Sequence, residues 1–144
     1  QGDTKIWLDR ICAYHPARIA WREAGRLAAP VAYAVTGQSG GTLWFAGGSS
    51  GTATNRSLWK LEAGLSPQRV ASLDRGFVYA AGALMGATLY AVGGTDDQAA
   101  LERVGNTFLA IDVNTGATRR LADYPEVGLV TGTALKVDGG WTAE

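Results

Sequence analysis

Apolar positions along the chain fall in short runs, separated by polar stretches rich in glycine. Two runs match closely. Thr42-Leu43-Trp44-Phe45-Ala46-Gly47-Gly48 and Thr88-Leu89-Tyr90-Ala91-Val92-Gly93-Gly94 lie 46 residues apart (88 less 42). An apolar run that closes on paired glycines reads as a strand entering a turn that needs positive φ. The flanks repeat too. A polar loop, Ser49 to Asn55, leads to an apolar strand over Ser57–Leu61; Thr95 to Gly105 leads to a second over Thr107–Ile111. Turn residues follow, clearest at Asp112-Val113-Asn114-Thr115-Gly116, where Asp and Asn offer side-chain bonds and Gly a left-handed conformation. More polar fourth strands run over Gln68–Leu73 and Ala117–Leu121, and small apolar first strands over Val31–Thr36, Phe77–Met85 and Val127–Val137.

The N-terminus fits the second half of the same unit. Lys5–Leu8 stands as its third strand, Tyr14–Ala17 as its turn and Ile19–Leu27 as its fourth strand. Residues 19–29 are also compatible with helix, but the repeat assigns Trp21 to a strand. At the other end, Asp138-Gly139-Gly140 reads as a hairpin turn after Val127–Val137, with Trp141 opening the next strand. The units are then residues 1–30 (second half of a blade), 31–73 (a blade), 77–121 (a blade) and 125–144 (first half of a blade).

Four short strands and a glycine pair in a period near 46 predict an all-β chain of β-propeller blades. A β-sandwich also has turns every 8–12 residues, but it has no reason to repeat Leu-aromatic-x-x-Gly-Gly at a fixed offset. The chain amounts to about three blade-equivalents of four antiparallel strands, which is half of a six-bladed propeller. Such a half leaves two sheet edges open. The expected partner is a second copy or a complementary fragment that closes the ring, two copies making six blades with two-fold symmetry.

The residues Phe45-Ala46-Gly47-Gly48 followed by Trp59, Ala91-Val92-Gly93-Gly94 followed by Phe108, and Trp21 followed by Leu27-Ala28-Ala29-Pro30 resemble the kelch-repeat family. The fourth-strand Trp of that pattern occurs only at Trp21; Arg69 and Arg119 stand near its place in the other units. Within kelch proteins, the run Leu27–Val35 leading to Gly47-Gly48-Ser49 resembles the bacterial sialic-acid mutarotases and their cyclically permuted relatives. That resemblance implies a six-bladed propeller interconverting anomers of N-acetylneuraminate without a metal or other cofactor. It also implies a Glu and an Arg in loops after Gly-pair strands. Arg56 matches the Arg and is the candidate catalytic residue. Ser49 stands where the Glu is expected, so this blade lacks it.

Composition narrows the picture further. Gly accounts for 20 of 144 residues, roughly twice its usual share. No Gly-X-Y period exists, so collagen is excluded. Hydrophobic residues at 47% allow a packed core. Charge is balanced, 13 Lys+Arg against 13 Asp+Glu, which removes the field that attracts nucleic acid. No apolar run reaches 18 residues, so no membrane span is expected. Gln1 is compatible with a processed N-terminus, favouring a periplasmic or secreted location over the cytoplasm. Cys12 has no partner for an intrachain disulfide and reads as a small buried apolar residue.

In a propeller, loops at one end of the channel form the usual ligand site. The first loop offers Ser49, Asn55 and Arg56; the second offers Asp96, Asp97, Gln98, Glu102, Arg103 and Asn106. Arg56 and Arg103 stand before third strands, and Arg with amides and hydroxyls suits a carboxylated sugar through a bidentate fork and hydrogen bonds. Ser49, Asn55, Arg103 and Asn106 are therefore the candidate substrate-binding residues. Asp96, Asp97 and Glu102 fit no EF-hand spacing and read as an exposed acidic turn. A lone His15 before Pro16 reads as a turn residue, and one histidine argues against a copper radical oxidase. The expected function is a carbohydrate-handling propeller, catalytic as a metal-free mutarotase or epimerase on a carboxylated sugar; the alternative is a non-catalytic kelch module that binds protein or glycan.

Overall fold

A computed structural model describes residues 6–64, 66–99 and 103–126. The N-terminal hairpin pairs β1 (Arg10–His15) with β2 (Ala20–Arg26) around a 3₁₀ turn at Pro16–Arg18. Two four-stranded antiparallel meanders follow. The first holds β3 (Val35–Ser39), β4 (Thr42–Ala46), β5 (Ser57–Glu62) and β6 (Gln68–Ser72). The second holds β7 (Ala81–Met85), β8 (Thr88–Val92), β9 (Phe108–Asp112) and β10 (Thr118–Arg120). The two sheets meet chiefly where β3 faces β7 and β8. They converge at their first strands and splay outward, which is the arrangement of successive kelch-type propeller blades.

Register explains the core. Val35, Ala46 and Leu58 are cross-strand neighbours on one face of the first sheet, and Leu89 pairs with Ile111 on the face of the second that meets it. With Ala91, Leu73, Phe77 and Val113 they form the buried cluster between the sheets. Full burial of a Leu or Ile side chain stabilises by about 1.5–3 kcal/mol, so this layer is the main cohesive element. Close approach of the first strands depends on missing side chains: a Cβ on Gly37 would stand 2.4 Å from Leu84 Cβ, and one on Gly82 2.3 Å from Val35 Cγ1.

The turn after β9 forms as its residues dictate. Asp112 Oδ1 accepts from the backbone N–H groups of Asn114 and Thr115, each at 2.9 Å, and from the Thr115 hydroxyl at 3.1 Å. These bonds favour the ionised carboxylate and hold Asp112 below the usual aspartate range, the Thr115 N–H contributing most.

Several expectations need correction. The first strands begin at Val35 and Ala81, four residues later than Val31 and Phe77. Ala32 makes an isolated bridge to Ser49 and Val78 one to Thr95. Tyr33 and Tyr79 then take left-handed φ of 60° and 59°, which breaks the strand before it starts. The third strand of the N-terminal unit is Arg10–His15 rather than Lys5–Leu8. With the turn at 16–18, pairing back from His15↔Ala20 to Arg10↔Arg26 uses up the partner strand before Leu8 is reached. Trp7 packs instead on Tyr33, edge to face at 6.0 Å. Cys12 is exposed, because the β1–β2 hairpin has no sheet covering that face among the described residues. Trp21 is 71% exposed for the same reason and lies against Tyr14 at 5.2 Å. The strand expected over Val127–Val137 and the turn at 138–140 lie outside the described residues.

Candidate functional site

Strand direction gathers the loops. Val35 at the start of β3 pairs with Ala46 at the end of β4, and Ala81 with Val92 likewise. The segments approaching each first strand and the loops after each glycine pair therefore share one end of the blades. The glycines make that geometry possible. Gly48 has φ 84°, and a Cβ there would stand 2.6 Å from the Ala32 carbonyl oxygen.

Each loop is anchored to its blade and to the next. Gly48 N–H donates to the Phe77 carbonyl at 2.7 Å, and the Thr54 hydroxyl to the Asp96 carbonyl at 2.7 Å. Gln98 reaches from the second loop to the first, donating to the Gly51 carbonyl and facing the Ser49 hydroxyl. Where the loops meet, Thr54, Arg56, Asp74, Arg75, Gly76 and Asp96 line an open polar cleft of about 340 Å³. Arg75 pairs with Asp96 at 2.7 Å. Both side chains are about half exposed, and such a pair is worth at most about 1 kcal/mol, so a ligand can open it at little cost.

The expected site residues divide. Arg56 lines the cleft. Its Nε donates to the Leu73 carbonyl at 3.2 Å and its Nη2 to the Asp74 carbonyl. A guanidinium carries five N–H donors, so these two bonds orient the group and leave others for a ligand. Asn55 closes its own turn, Oδ1 accepting from Ser57 N–H at 2.9 Å. Ser49 is fully buried. Its hydroxyl accepts from Gly51 N–H at 2.9 Å and lies 3.2 Å from the Ala53 carbonyl, so it braces the loop and faces no solvent.

Arg103 is not the counterpart of Arg56. Asn55 N–H donates to the Gly48 carbonyl and Gly105 N–H to the Gly94 carbonyl, both at 2.7 Å, which aligns Asn106 with Arg56. Arg103 lies three residues earlier and is exposed. The cleft's second arginine is Arg75, on the link between the blades. The repeat does not point to Arg75, because the equivalent position before β3, 46 residues earlier (75 less 46), is Ala29. His15 is exposed at the end of β1, before the 3₁₀ turn. Among the described residues, no three His, Cys, Asp or Glu side chains gather as a metal site, and no helix is long and apolar enough to cross a membrane. Glu102 lies outside the described residues.

No family model matches the sequence, and no curated protein matches it. Among solved structures the chain is similar to YjhT, with a TM-score of 0.69 at 13% identity. The alignment covers 84% of this chain and 40% of that one, so the chain spans less than half the length of its structural neighbour. At that identity the likeness is one of fold, and it agrees with the reading of the two sheets and the hairpin as propeller blades.

Proposed function

We propose that the chain is part of a carbohydrate-handling propeller whose inter-blade cleft takes a carboxylated sugar such as sialic acid. The observation that carries this reading is the convergence of Arg56, Arg75, Asp96 and Thr54 on one open cleft at the loop end of two blades. The free N–H groups of Arg56 suit a sugar carboxylate, and the Arg75–Asp96 pair offers donors and an acceptor to hydroxyls. The likeness of Leu27–Val35 and Gly47-Gly48-Ser49 to sialic-acid mutarotases points the same way.

The chemistry that fits is metal-free mutarotation. Asp96 takes the proton of the anomeric hydroxyl. The bond between the anomeric carbon and the ring oxygen opens as water protonates that oxygen. The open-chain ketone rotates and closes on its other face, and the proton returns. Asp96 fills the general-base role that the missing Glu leaves open. Positioned acid–base catalysis contributes typically 10²–10⁴-fold. Saturation-transfer NMR of anomer exchange in N-acetylneuraminate is expected to show exchange above the buffer rate, slowed about 10²-fold or more by Asp96→Asn. Unchanged exchange in that variant rules out the role of Asp96.

The anchoring of Arg56 to two carbonyls favours a second reading, a binding module without turnover. Sugar binding with exchange at the buffer rate would support it.

The ring-closing partner we propose is a second copy. In the first sheet, the face bearing Val35, Ala46 and Leu58 is buried by the sheet that follows. The equivalent face of the second sheet, with Ala83, Met85, Tyr90, Val92, Phe108 and Tyr124, lines an apolar hollow of about 160 Å³. Light scattering is expected to give twice the chain mass; a monomer that binds sugar contradicts the pairing.

A further inference from the structure

The hairpin β1–β2 is built as the outer half of a blade. Its ladder breaks between Ile11 and Cys12, where the partner jumps from Gly25 to Glu23. The β5–β6 ladder breaks in the same way between Leu58 and Trp59, whose partners jump from Ala71 to Arg69. The closing bond recurs as well. Leu27 N–H donates to the Asp9 carbonyl at 2.8 Å, and Leu73 N–H to the Arg56 carbonyl at 2.7 Å. β1 therefore stands where β5 stands in the first sheet, with Ile11 in the place of Leu58 and Cys12 in that of Trp59. β5 carries β4 on its other edge. Among the described residues, no strand pairs with that edge of β1.

A groove of about 290 Å³ lies beside this edge. Ile11 lines it from β1, and Thr36, Leu43, Phe45 and Leu61 line it from the first sheet. Register identifies what covers such a surface. Thr36 pairs with Phe45, and Leu43 with Leu61. The matching pairs in the second sheet are Gly82 with Ala91, and Leu89 with Ile111. There Leu89, Ala91 and Ile111 are buried in one cluster with Val35 of β3, Ala46 of β4 and Leu58 of β5. At the groove, Ile11 takes the part of Leu58. The parts of Val35 and Ala46 belong to a first and a second strand, which no described residue before Asp9 supplies.

The chain carries a segment of that kind. Residues 127–144 read in sequence as a first strand and a hairpin turn opening a second, and they lie outside the described residues. The chain leads toward them past Tyr124, on the apolar hollow of the second sheet. The hollow is on the face turned away from the first sheet, and the groove is on the first sheet's face turned away from the second. Both sheets stand between them, whereas a second copy can bring its own segment to the groove directly. We infer that the groove and the open edge of β1 take residues 127–144 of a second copy as the inner two strands of a composite blade. The inference rests on the second-copy reading above and deepens it. One half-blade covers the hollow of its own chain and fills the groove of its partner. Strand addition to β1 gives backbone hydrogen bonds, and alternate side chains enter the groove. Two composite blades and two whole blades from each copy make six, with two-fold symmetry.

Register also chooses the test. Aligning Gly139-Gly140 with Gly40-Gly41 puts Glu144 at the position of Phe45, which pairs with Trp59. The counterpart of Trp59 is Cys12, exposed and the single cysteine of the chain. In the Glu144→Cys variant, a short bismaleimide is expected to join position 144 of one copy to Cys12 of the other. Nitrogen-15-labelled and unlabelled chains are refolded together before linking. Peptide mapping is then expected to find the 12–144 link with one labelled and one unlabelled half, and to lose it when Cys12→Ser is added. A dimer by light scattering without that link, or with the link confined within single chains, overturns the composite blade and leaves the pairing of copies standing. A monomer overturns both readings.

Discussion

Replacing Gly47 by alanine is expected to destabilise the protein by about 3 kcal/mol or more, from left-handed backbone strain of about 1–2 kcal/mol and overpacking of about 1–3 kcal/mol. Gly47 has φ 69°. A Cβ there would stand 2.5 Å from the Phe77 carbonyl oxygen and 2.6 Å from two carbons of its ring. Phe77 cannot yield easily, because its ring belongs to the buried cluster and its carbonyl accepts from Gly48 N–H. Gly64 separates the two costs. Its φ is 79°, and nothing lies within 4 Å of a Cβ built there, so Gly64→Ala is expected to cost only about 1–2 kcal/mol. Urea unfolding of both variants reads the difference. Equal losses would show that the glycine pair does not fasten one blade to the next.

Leu89→Ala is expected to cost about 2–5 kcal/mol, the range for emptying a packed leucine site. Leu89 has no solvent exposure and lies against the first sheet, 3.1 Å from where a Cβ on Gly37 would stand. Met85, on the same sheet but 48% exposed, is the comparison. Met85→Ala is expected to stay within about 0.5 kcal/mol while its face is uncovered. Closure of the ring by a second copy would raise that figure, so the pair of variants also reports on assembly. Thermal or urea midpoints that fall equally in both would place the cohesive layer somewhere other than between the blades.

Much of this architecture is legible in the chain because its residues repeat. The 46-residue offset from Thr42–Gly48 to Thr88–Gly94 puts β4 and β8 in the positions observed, and the Asp112–Gly116 turn forms from the groups its sequence offers. The first strands were displaced because Val31–Thr36 reads as one apolar run. Apolarity does not reveal that Tyr33 reverses the backbone inside it, although the matching Tyr79 at the same offset is a signal that was there to read. The N-terminal third strand was displaced because Ile6–Leu8 is more apolar than Arg10–His15. The position of the turn, and not hydrophobicity, sets the pairing.

The site is less legible, for a physical reason. Arg56 and the loop end follow from the repeat. Arg75 and Asp96 meet through the twist between blades, and no spacing along the chain encodes that distance. Ser49 looks available by residue type, yet its hydroxyl is consumed by loop bonds. Arg103 mimics Arg56 in sequence and misses its position by three residues once backbone bonds fix the register.

The most direct measurement of the central claim is an amide-shift map of the protein titrated with N-acetylneuraminate. The account predicts saturable shifts at Thr54, Arg56, Gly76 and Asp96. It predicts none at Gly40, Gly64 and Gly86, which turn at the opposite end of the blades. Absence of shifts at millimolar sugar, or shifts confined to the opposite end, would contradict it.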